Sequence, residues 1–474
     1  MPKNNFYITT TLPYVNADPH IGFALEIVKA DVIARYHREH GDEVFFNTGV
    51  DEHGLKIYRK AEELGLETQT YCDQMASKFA DLKTALNLSY NSFTRTTDAN
   101  HLEATQAFWK LCLAKGDIYK KNYQVKYCVG CELEKTESEL VDGHCPLHPT
   151  TDLELIDEEN YFFKFSKYQT ALLDFYKQQT DFVLPVGKFN EIKKFVEAGL
   201  DDFSISRLKS KMPWGVAVPG DDEQVMYVWF DALINYVSCL DWPEGENFSK
   251  FWPGWQICGK DNLRQQTAMW QAMLLSAGLP NSRQVLVNGF ITADGQKMSK
   301  SLGNVVSPID LVNKYGVDAV RYYFLAEMNP FEDSDFSFAK FEARYQADLA
   351  NGLGNLSSRL ANLVAKNNLN FPNSVEDKSL LAEFTDKMDK FLFNEALGAI
   401  WRRLREADTT LSAKQPWKMS DQGDIKNCLE PLVALIRQTA VLLKPIMPDI
   451  AEKLSTQFNQ TNIEKGEPLF PRLN

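Results

Sequence analysis

The stretch FYITTTLPYVNADPHIGFALEIVKADVIARYHREHGDEVFFN, from Phe6 to Asn47, predicts the fold of the first part of the chain. Residues 6–11 are β-branched and aromatic, as in a buried strand, and Pro13 ends that strand. Apolar residues then recur with a period near 3.6 up to Gly41, which predicts a helix, and residues 42–47 predict a second strand. This order favours a doubly wound parallel sheet that binds its ligand at the carboxyl ends of the strands.

His20 and Gly22 lie where the first strand meets the helix. The amino terminus of a helix can face phosphate, and a glycine at this point lets a flat base approach the backbone closely. His20 could equally be a helix cap or a satisfied polar group. The tripeptide His20-Ile21-Gly22 therefore identifies no function by itself.

A second segment, DGQKMSKSLGN from Asp294 to Asn304, follows the predicted strand Gln284–Gly289. Its first two residues form a tight-turn pair, so a loop is expected to follow. Ammonium and hydroxyl groups on such a loop could neutralise charge that develops on a leaving pyrophosphate. The groups are those of Lys297, Ser299, Lys300 and Ser301. The alternative is a solvated surface turn.

The two segments together resemble the paired signatures of class I aminoacyl-tRNA synthetases, His-Ile-Gly-His and Lys-Met-Ser-Lys-Ser. Phe23 stands where the first signature has its second histidine. The resemblance implies that ATP binds together with Mg²⁺, at a site that consists of His20, Gly22, Lys297, Ser299 and Lys300. Of these residues it implies a catalytic role for His20, Lys297 and Lys300, which would stabilise the phosphates during attack by an amino-acid carboxylate.

Three further segments, Leu12–Tyr14, Val50–Gly54 and Tyr227–Tyr236, resemble the methionyl-tRNA synthetases. In that family the aspartate that matches Asp51 binds the ammonium group of the amino acid, and aromatic and apolar side chains surround the thioether, because sulfur packs well against rings. The implied methionine pocket consists of Leu12, Tyr14, Asp51, Trp229, Ala232, Tyr236 and Gln266. Gln266 stands where many members have a histidine. A loop-capping aspartate and an ordinary aromatic core are the alternatives.

Three of the eight cysteines lie close together in sequence. Cys128-Val-Gly-Cys131 and Cys145-Pro-Leu-His148 are two C-x-x-[C/H] elbows separated by thirteen residues, a spacing expected of a structural tetrahedral Zn²⁺ site. His144 is a rival fourth ligand, and a redox C-x-x-C pair is the alternative. The elbows also resemble the zinc knuckle in the connective insert of methionyl-tRNA synthetases. The insert is too short for the editing domain of the isoleucyl, valyl and leucyl enzymes.

From about Phe338 the strand patterns fade, and helix-period segments predict an all-α bundle of about five helices. Asn355 and Arg359 lie four residues apart on one helix face, and Trp417 follows a helix end. Such side chains stack on unpaired RNA bases and read their edges. In methionyl-tRNA synthetases the residues that match Asn355, Arg359 and Trp417 recognise the CAU anticodon, which implies initiator and elongator tRNA(Met) as partners. A capping Asn, a surface Arg and a buried Trp are the alternatives.

The expected organisation is an α/β chain with a class I Rossmann-like catalytic domain, a zinc-knuckle connective insert and an all-α anticodon-binding bundle. The catalytic domain would occupy 1–115 and 226–305, the insert 116–225, a stem-contact region 306–350, and the bundle 351–474. No apolar run approaches the ~20 residues of a membrane span, and no signal peptide is recognised, so we expect a cytoplasmic protein. A monomer is expected, since no C-terminal dimerising module is recognised.

The net charge of -13 gives no general attraction for nucleic acid, so an RNA partner needs a local binding face. The resemblance implies a methionine–tRNA ligase, which forms methionyl-adenylate and pyrophosphate from methionine and ATP and then transfers methionine to the terminal adenosine of tRNA. Two rivals remain. One is a synthetase for another amino acid, such as cysteine or leucine. The other, motivated by Phe23 and Gln266, is an RNA-binding protein with a degenerate catalytic site.

Overall fold

The computed structural model describes residues 4–135, 137–298, 303–371, 376–460 and 462–473. The chain divides into two compact units. The first unit comprises Met1–Pro19, Gly41–Thr84 and Ser89–Asn288, and the second comprises His20–His40, Ala85–Leu88 and Gly289–Asn474. The domain limits at 115, 225, 305 and 350 stay predictions.

Within the described residues the chain forms sixteen strands: β1 (Asn5–Thr10), β2 (Glu43–Val50), β3 (Ser92–Arg95), β4 (Ile118–Cys128), β5 (Leu133–Lys135), β6 (Glu154–Phe163), β7 (Val183–Leu184), β8 (Phe203–Ser204), β9 (Ser206–Leu208), β10 (Ala217–Val218), β11 (Asp221–Met226), β12 (Trp255–Gly259), β13 (Gln284–Asn288), β14 (Ile291–Ala293), β15 (Gln296–Lys297) and β16 (Ser334–Phe336).

The α-helices of the same residues are α1 (Ile21–Glu39), α2 (Leu55–Glu63), α3 (Thr68–Ala80), α4 (Leu82–Ala85), α5 (Ala99–Ala114), α6 (Gln169–Gln178), α7 (Val186–Glu197), α8 (Val228–Ala232), α9 (Asn235–Ser238), α10 (Glu246–Phe251), α11 (Trp270–Ala277), α12 (Pro308–Tyr315), α13 (Val317–Ala326), α14 (Phe338–Arg344), α15 (Asn355–Lys366), α16 (Lys378–Asp389), α17 (Phe393–Lys414), α18 (Gln422–Leu443) and α19 (Pro448–Phe458). In this part of the chain no helix combines the length and the apolar character that crossing a membrane requires.

The first unit is built on a six-stranded sheet in the order β3-β2-β1-β12-β13-β7. All of its pairings are parallel, and Ile8 of β1 pairs with Phe46 on one side and with Trp255 on the other. The strand order therefore reverses at β1, which is where ligands bind in sheets of this class. The doubly wound parallel sheet predicted from Phe6–Asn47 is confirmed. Its main core contains large aromatic side chains, among them Trp109 and Trp270.

The stretch 116–225 forms two smaller antiparallel sheets, ordered β5-β4-β6-β8 and β10-β11-β9. The long pairing of β4 with β6 runs from Ile118↔Phe163 to Tyr127↔Glu154. One strand of the same stretch belongs to the main sheet instead. Val183 and Leu184 of β7 pair with β13 at its edge. A strand of two residues has no period of its own, so sequence patterns do not reveal it.

The segment from Lys260 to Ala277 is not a single regular helix. A 3-10 turn at Lys260–Asn262 and a π-helical segment at Gln265–Met269 come before α11. π turns in helices are frequent at functional sites, and here Gln265 and Gln266 are both buried within one.

Beyond α1, the helices of the second unit begin with α12. The hydroxyl of Ser307 accepts the N–H of Asp310 at 3.2 Å, Pro308 holds the first helical position, and Gly316 follows the last turn with φ at 87°. From Phe338 to Lys366 the helical run is continuous through α14, a π-helical segment and α15. Together with α16 to α19 it gives the five helical rods expected among the described residues.

A fully buried arginine on α13 joins several elements of the second unit. The guanidinium of Arg321 lies 2.7 Å from Asp31 on α1 and donates to the carbonyls of Leu86 (3.0 Å) and Ile446 (2.8 Å). Neither Arg321 nor Asp31 is exposed, so this ion pair depends on the surrounding acceptors for its stability.

Candidate active site

Tyr14 and Asp51 lie side by side just beyond the carboxyl ends of β1 and β2. The Asp51 N–H donates to the carbonyl of Pro13 at 2.9 Å, and the Val15 N–H donates to the carbonyl of Asp51 at 3.2 Å. Leu12 is buried in the same loop. Because the two strands are parallel neighbours, their loops meet at one edge of the sheet, and the structure brings these three predicted residues together.

Aromatic side chains from α8 and α9 complete this region. The rings of Tyr14 and Trp229 meet edge to face with centroids 6.4 Å apart, and the Gln266 amide donates to the Tyr236 hydroxyl at 2.5 Å. Ala232 is buried on the same short helix as Trp229. The predicted pocket residues thus lie in the loops after β1 and β2, on the short helices α8 and α9, and in the π-helical segment Gln265–Met269 of the first unit.

Three buried polar atoms of this region have no hydrogen-bond partner among the described residues: the Tyr14 hydroxyl, Trp229 Nε1 and Gln266 Oε1. Unpaired polar atoms are rare inside folded proteins, because each costs about 1 to 3 kcal/mol. Two of them, the Tyr14 hydroxyl and Trp229 Nε1, belong to side chains that meet next to the Asp51 loop, so a polar ligand at this place could pair with them.

Asp51 is only 3% exposed, and it forms no ion pair with a residue that the structure describes. Its Oδ1 accepts the N–H of His53 at 3.2 Å and the hydroxyl of Thr96 at 3.3 Å. Burial and the nearby charge of Asp231 raise the pKa of Asp51 well above its usual range. A cationic ligand beside it would reverse this effect, because opposite charges favour the ionised carboxylate.

A buried network that the sequence did not reveal lies around Asp231. His53 Nδ1 donates to Asp231 Oδ2 at 2.6 Å, His101 Nε2 donates to Asp231 Oδ1 at 2.8 Å, and His101 Nδ1 lies 2.9 Å from the hydroxyl of Ser238. Although burial alone would raise it, the pKa of Asp231 falls to about 2 through the charge and hydrogen bonds of the two histidines. The network links the Asp51 loop to α8 and α9.

In the second unit, His20 is the N-cap of α1, and its Nδ1 accepts the N–H of Gly22 at 3.0 Å. Burial lowers the pKa of His20, which favours the neutral ring that this acceptor role requires. A Cβ added at Gly22 would lie 2.8 Å from the His20 ring and 3.9 Å from the methyl group of Met298. The two signature segments therefore come together, and the glycine is required by close approach.

The second signature begins in a β14–β15 hairpin. Asp294 and Gly295 both have positive φ, at 51° and 73°, as expected of a tight turn in a hairpin. Lys297 pairs with Thr292 across it, and its side chain is exposed. Residues 299–302 of this segment lie outside the described residues, and they include the predicted phosphate-binding residues Ser299, Lys300 and Ser301.

The four predicted metal ligands of the insert come together in the first unit. The ligand atoms of Cys128, Cys131, Cys145 and His148 all lie within 4.8 Å of one another. Cys131 Sγ is 3.9 Å from Cys145 Sγ, and Cys128 Sγ is 3.7 Å from His148 Nδ1. Ligands about 2.3 Å from a tetrahedral Zn²⁺ would be about 3.8 Å apart, so the donor set fits this ion.

The neighbouring residues support the same arrangement. A Cβ on Gly130 would lie 2.5 Å from the His148 ring. The first elbow therefore requires a glycine where its backbone runs beside the histidine. The rival ligand His144 is not part of the four-residue group. All eight cysteines of the chain are free thiols, so the elbows contain no disulfide.

The predicted RNA-reading residues lie in the helical bundle. The Arg359 guanidinium is 5.8 Å from the centre of the Trp417 ring, and the Arg359 side chain forms a 2.5 Å ion pair with Asp408. Trp417 follows the end of α17 and is 44% exposed, so it is not the buried core residue of the alternative interpretation. Asn355 begins α15, one turn before Arg359.

Comparison with known proteins gives a consistent result. The family model "tRNA synthetases class I (M)" matches residues 6–154 and 137–361. The methionine–tRNA ligase of Nostoc sp. is 41% identical over 479 residues, covering 96% of this chain and 90% of the relative, and that of Thermotoga maritima is 38% identical over 511 residues, covering 99% and 80%.

Solved structures agree with these relatives. The Mycobacterium tuberculosis methionyl-tRNA synthetase in complex with methionyl-adenylate superimposes with a TM-score of 0.92 at 37% identity, covering 99% of this chain and 100% of that one. The apo form of the same enzyme superimposes with a TM-score of 0.85 at 33% identity, covering 100% of this chain and 99% of that one.

Proposed function

We propose roles for individual residues from the premise that this chain belongs to the class I tRNA synthetases and, within them, to the methionine–tRNA ligases. The chain joins methionine to tRNA in two steps. Methionine and ATP first give methionyl-adenylate and pyrophosphate, and the methionyl group then passes to the 3′-terminal adenosine of the tRNA. The rival assignment to another amino acid is not supported, because the relatives reported above are methionine–tRNA ligases.

The observation that carries the pocket assignment is the buried Asp51 carboxylate beside the unpaired Tyr14 hydroxyl and Trp229 Nε1. The methionine ammonium group would pair with Asp51, and the aromatic rings would pack against the thioether. Leu12, Ala232 and Tyr236 would supply the remaining walls. Gln266, held by Tyr236, would be a polar wall in place of an imidazole.

For ATP we propose His20, Gly22, Lys297, Ser299 and Lys300. Gly22 has no side chain to clash with the His20 ring at the amino terminus of α1, and Lys297 is exposed on its hairpin. His20 and the two lysines would stabilise charge on the phosphates as the methionine carboxylate attacks the α-phosphorus. Mg²⁺ would be bound with the polyphosphate. Catalysis would then rest on positioning and charge, without a protein nucleophile.

For the insert we propose one structural Zn²⁺ held by Cys128, Cys131, Cys145 and His148. Two thiolate-bearing elbows and an imidazole fill a tetrahedral shell, so the ion would act as a cross-link of the insert. Metal analysis should give about one zinc per chain, and Cys145→Ser should lose it while Cys428→Ser, in the bundle, should keep it. A folded, active and metal-free protein would contradict the assignment.

For the helical bundle we propose anticodon recognition of initiator and elongator tRNA(Met) by Asn355, Arg359 and Trp417. The exposed indole and the guanidinium beside it are suited to stack on unpaired bases. We also propose the functional division given above: catalytic halves at 1–115 and 226–305, connective insert at 116–225, stem-contact region at 306–350 and bundle at 351–474. Action as a monomer in the cytoplasm, where tRNA is charged, completes the proposal.

The order of the two steps provides the test. Purified protein incubated with methionine and α-labelled ATP in the absence of tRNA should accumulate labelled methionyl-adenylate. Addition of tRNA(Met) should discharge it to methionyl-tRNA and AMP, and tRNA(Met) with an altered anticodon should discharge it poorly. If no adenylate forms while tRNA still binds, the protein is the RNA-binding protein of the rival hypothesis.

A further inference from the structure

Glu132, the residue after the first zinc elbow, is fully buried and lies outside the roles assigned above. Its backbone has φ at 52°, in the left-handed region that residues other than glycine seldom adopt. Such a conformation persists when surrounding contacts hold it. The contacts of Glu132 therefore show which parts of the structure hold this backbone conformation.

The carboxylate of Glu132 caps the helix that follows the Asp51 loop. Its Oε1 accepts the N–H of Lys56, in the first turn of α2, at 2.8 Å. The N-cap residue of that helix, Gly54, provides no side-chain cap and has φ at 110°. A Cβ added at Gly54 would lie 2.7 Å from Glu132 Oε2, so the loop and the carboxylate are in direct contact. Glu132 thus supplies from a distance the capping group that the helix lacks.

The backbone of Glu132 contacts the other side of the methionine pocket. Its carbonyl accepts the hydroxyl of Tyr227, the residue before α8, which carries Trp229 and Ala232. The hydroxyl of Tyr127 donates to the Glu132 carboxylate at 3.3 Å from the adjacent strand β4. One buried residue therefore joins the Asp51 loop to the start of the aromatic helix.

A neighbouring contact reinforces this connection. The Lys56 ammonium donates to the carbonyl of Gly130 at 2.9 Å and lies 5.7 Å from the centre of the Tyr14 ring. The elbow backbone, Glu132 and Lys56 thus approach the pocket from its outer side.

We propose that Glu132 is a positioning residue for methionine binding, which holds the turn after Asp51 and the start of α8 at the spacing that the substrate needs. It acts through Lys56, Gly54 and Tyr227 without touching the substrate. The proposal rests on the methionine pocket proposed above. It also gives the first zinc elbow a second role, because Glu132, the residue directly after Cys131, would support the pocket.

The test compares Glu132→Ala with the conservative Glu132→Gln and with Glu137→Ala, an exposed control in the same insert. Removing the acceptor leaves a buried N–H without its partner, so the KM and the tryptophan-fluorescence Kd for methionine should each rise about tenfold in Glu132→Ala. The KM for ATP and the zinc content should stay unchanged. Glu132→Gln should recover most of the affinity, since its amide oxygen still accepts from Lys56, and the control should match the wild type.

Two results would overturn the proposal. One is an unchanged methionine Kd in folded, zinc-loaded Glu132→Ala. The other is an equal loss of methionine and ATP affinity together with loss of zinc, which would make Glu132 a support of the elbow alone. If Glu132→Ala does not fold, Tyr227→Phe decides, because it removes only the hydroxyl bonded to the Glu132 carbonyl and should weaken methionine binding selectively. A wild type that binds no methionine would instead refute the proposed function.

Discussion

Replacing Asp51 with Asn should abolish most of the affinity for methionine while leaving the fold intact. The Asn side-chain oxygen can still accept the N–H of His53 and the hydroxyl of Thr96, so the loop keeps its hydrogen bonds. What is lost is the charge that would face the ammonium group of the substrate in the proposed pocket. At a site that is 3% exposed, an ammonium left without its carboxylate costs about 3 to 4 kcal/mol. The KM for methionine should therefore rise about 100- to 1000-fold.

The assay is methionine-dependent ATP–pyrophosphate exchange, with Asp18→Asn as an exposed control in the same unit. The KM for ATP should be unchanged. Binding of an analogue that lacks the amino group should be equally weak in wild type and Asp51→Asn, because it has no charge to pair. A methionine KM within threefold of the wild type, or an analogue that loses affinity in parallel with methionine, would refute the reasoning.

The pH dependence of methionine binding provides a second test of the Asp51 carboxylate. Burial and the charge of Asp231 raise the pKa of Asp51, and a bound ammonium lowers it, so methionine binding releases a proton. Methionine affinity should therefore increase as the pH rises through the raised pKa of the free protein. The dependence should vanish in Asp51→Asn, and its persistence there would assign it to another group.

The remaining predictions concern stability, the lysine loop and the bundle. Arg321→Met should lower the free energy of unfolding by about 3 kcal/mol, because the buried Asp31 carboxylate loses its 2.7 Å ion pair with the Arg321 guanidinium; urea denaturation measures this. Asp231 has a pKa of about 2 against an ordinary 3.8, so its ionised carboxylate stabilises the fold by about 2 kcal/mol above about pH 4. This contribution is lost as the pH falls towards 2. The difference in the free energy of unfolding between wild type and Asp231→Asn should therefore shrink over that range. Lys300→Ala should slow adenylate formation at least about 100-fold with little change in methionine affinity, and an unaltered single-turnover rate would exclude the loop from the mechanism. Trp417→Ala should reduce tRNA charging about tenfold at limiting tRNA and leave pyrophosphate exchange intact, whereas equal losses would make the indole structural.

Local patterns predicted the parts of the structure that depend on neighbours in sequence. The helix after His20, the strands on either side of it and the Asp294-Gly295 turn all follow from residues close to one another. The four ligand atoms of the elbows also converge as their spacing predicts, since each elbow is a local turn. The roles assigned to individual residues by resemblance stay predictions.

Contacts between distant segments were beyond such patterns. His101 lies on a helix without any motif, and only the folded chain brings it to Asp231. Glu132 follows a cysteine and looks like a surface residue. It is nevertheless buried, and its carboxylate caps α2, a helix far earlier in the sequence that begins at Leu55. The π turn at Gln265–Met269 has the apolar pattern of an ordinary helix. The spacing of apolar residues in the sequence therefore does not reveal that this turn contains one residue more than an α-helical turn.

Amino-acid-dependent ATP–pyrophosphate exchange, run across all twenty amino acids without tRNA, tests the central claim most directly. We expect exchange with methionine alone, because the proposed pocket would pair the ammonium group with Asp51 and pack aromatic rings against the thioether. Exchange with a different amino acid would contradict the pocket assignment, and no exchange with any amino acid in folded, zinc-loaded protein would contradict the catalytic assignment itself.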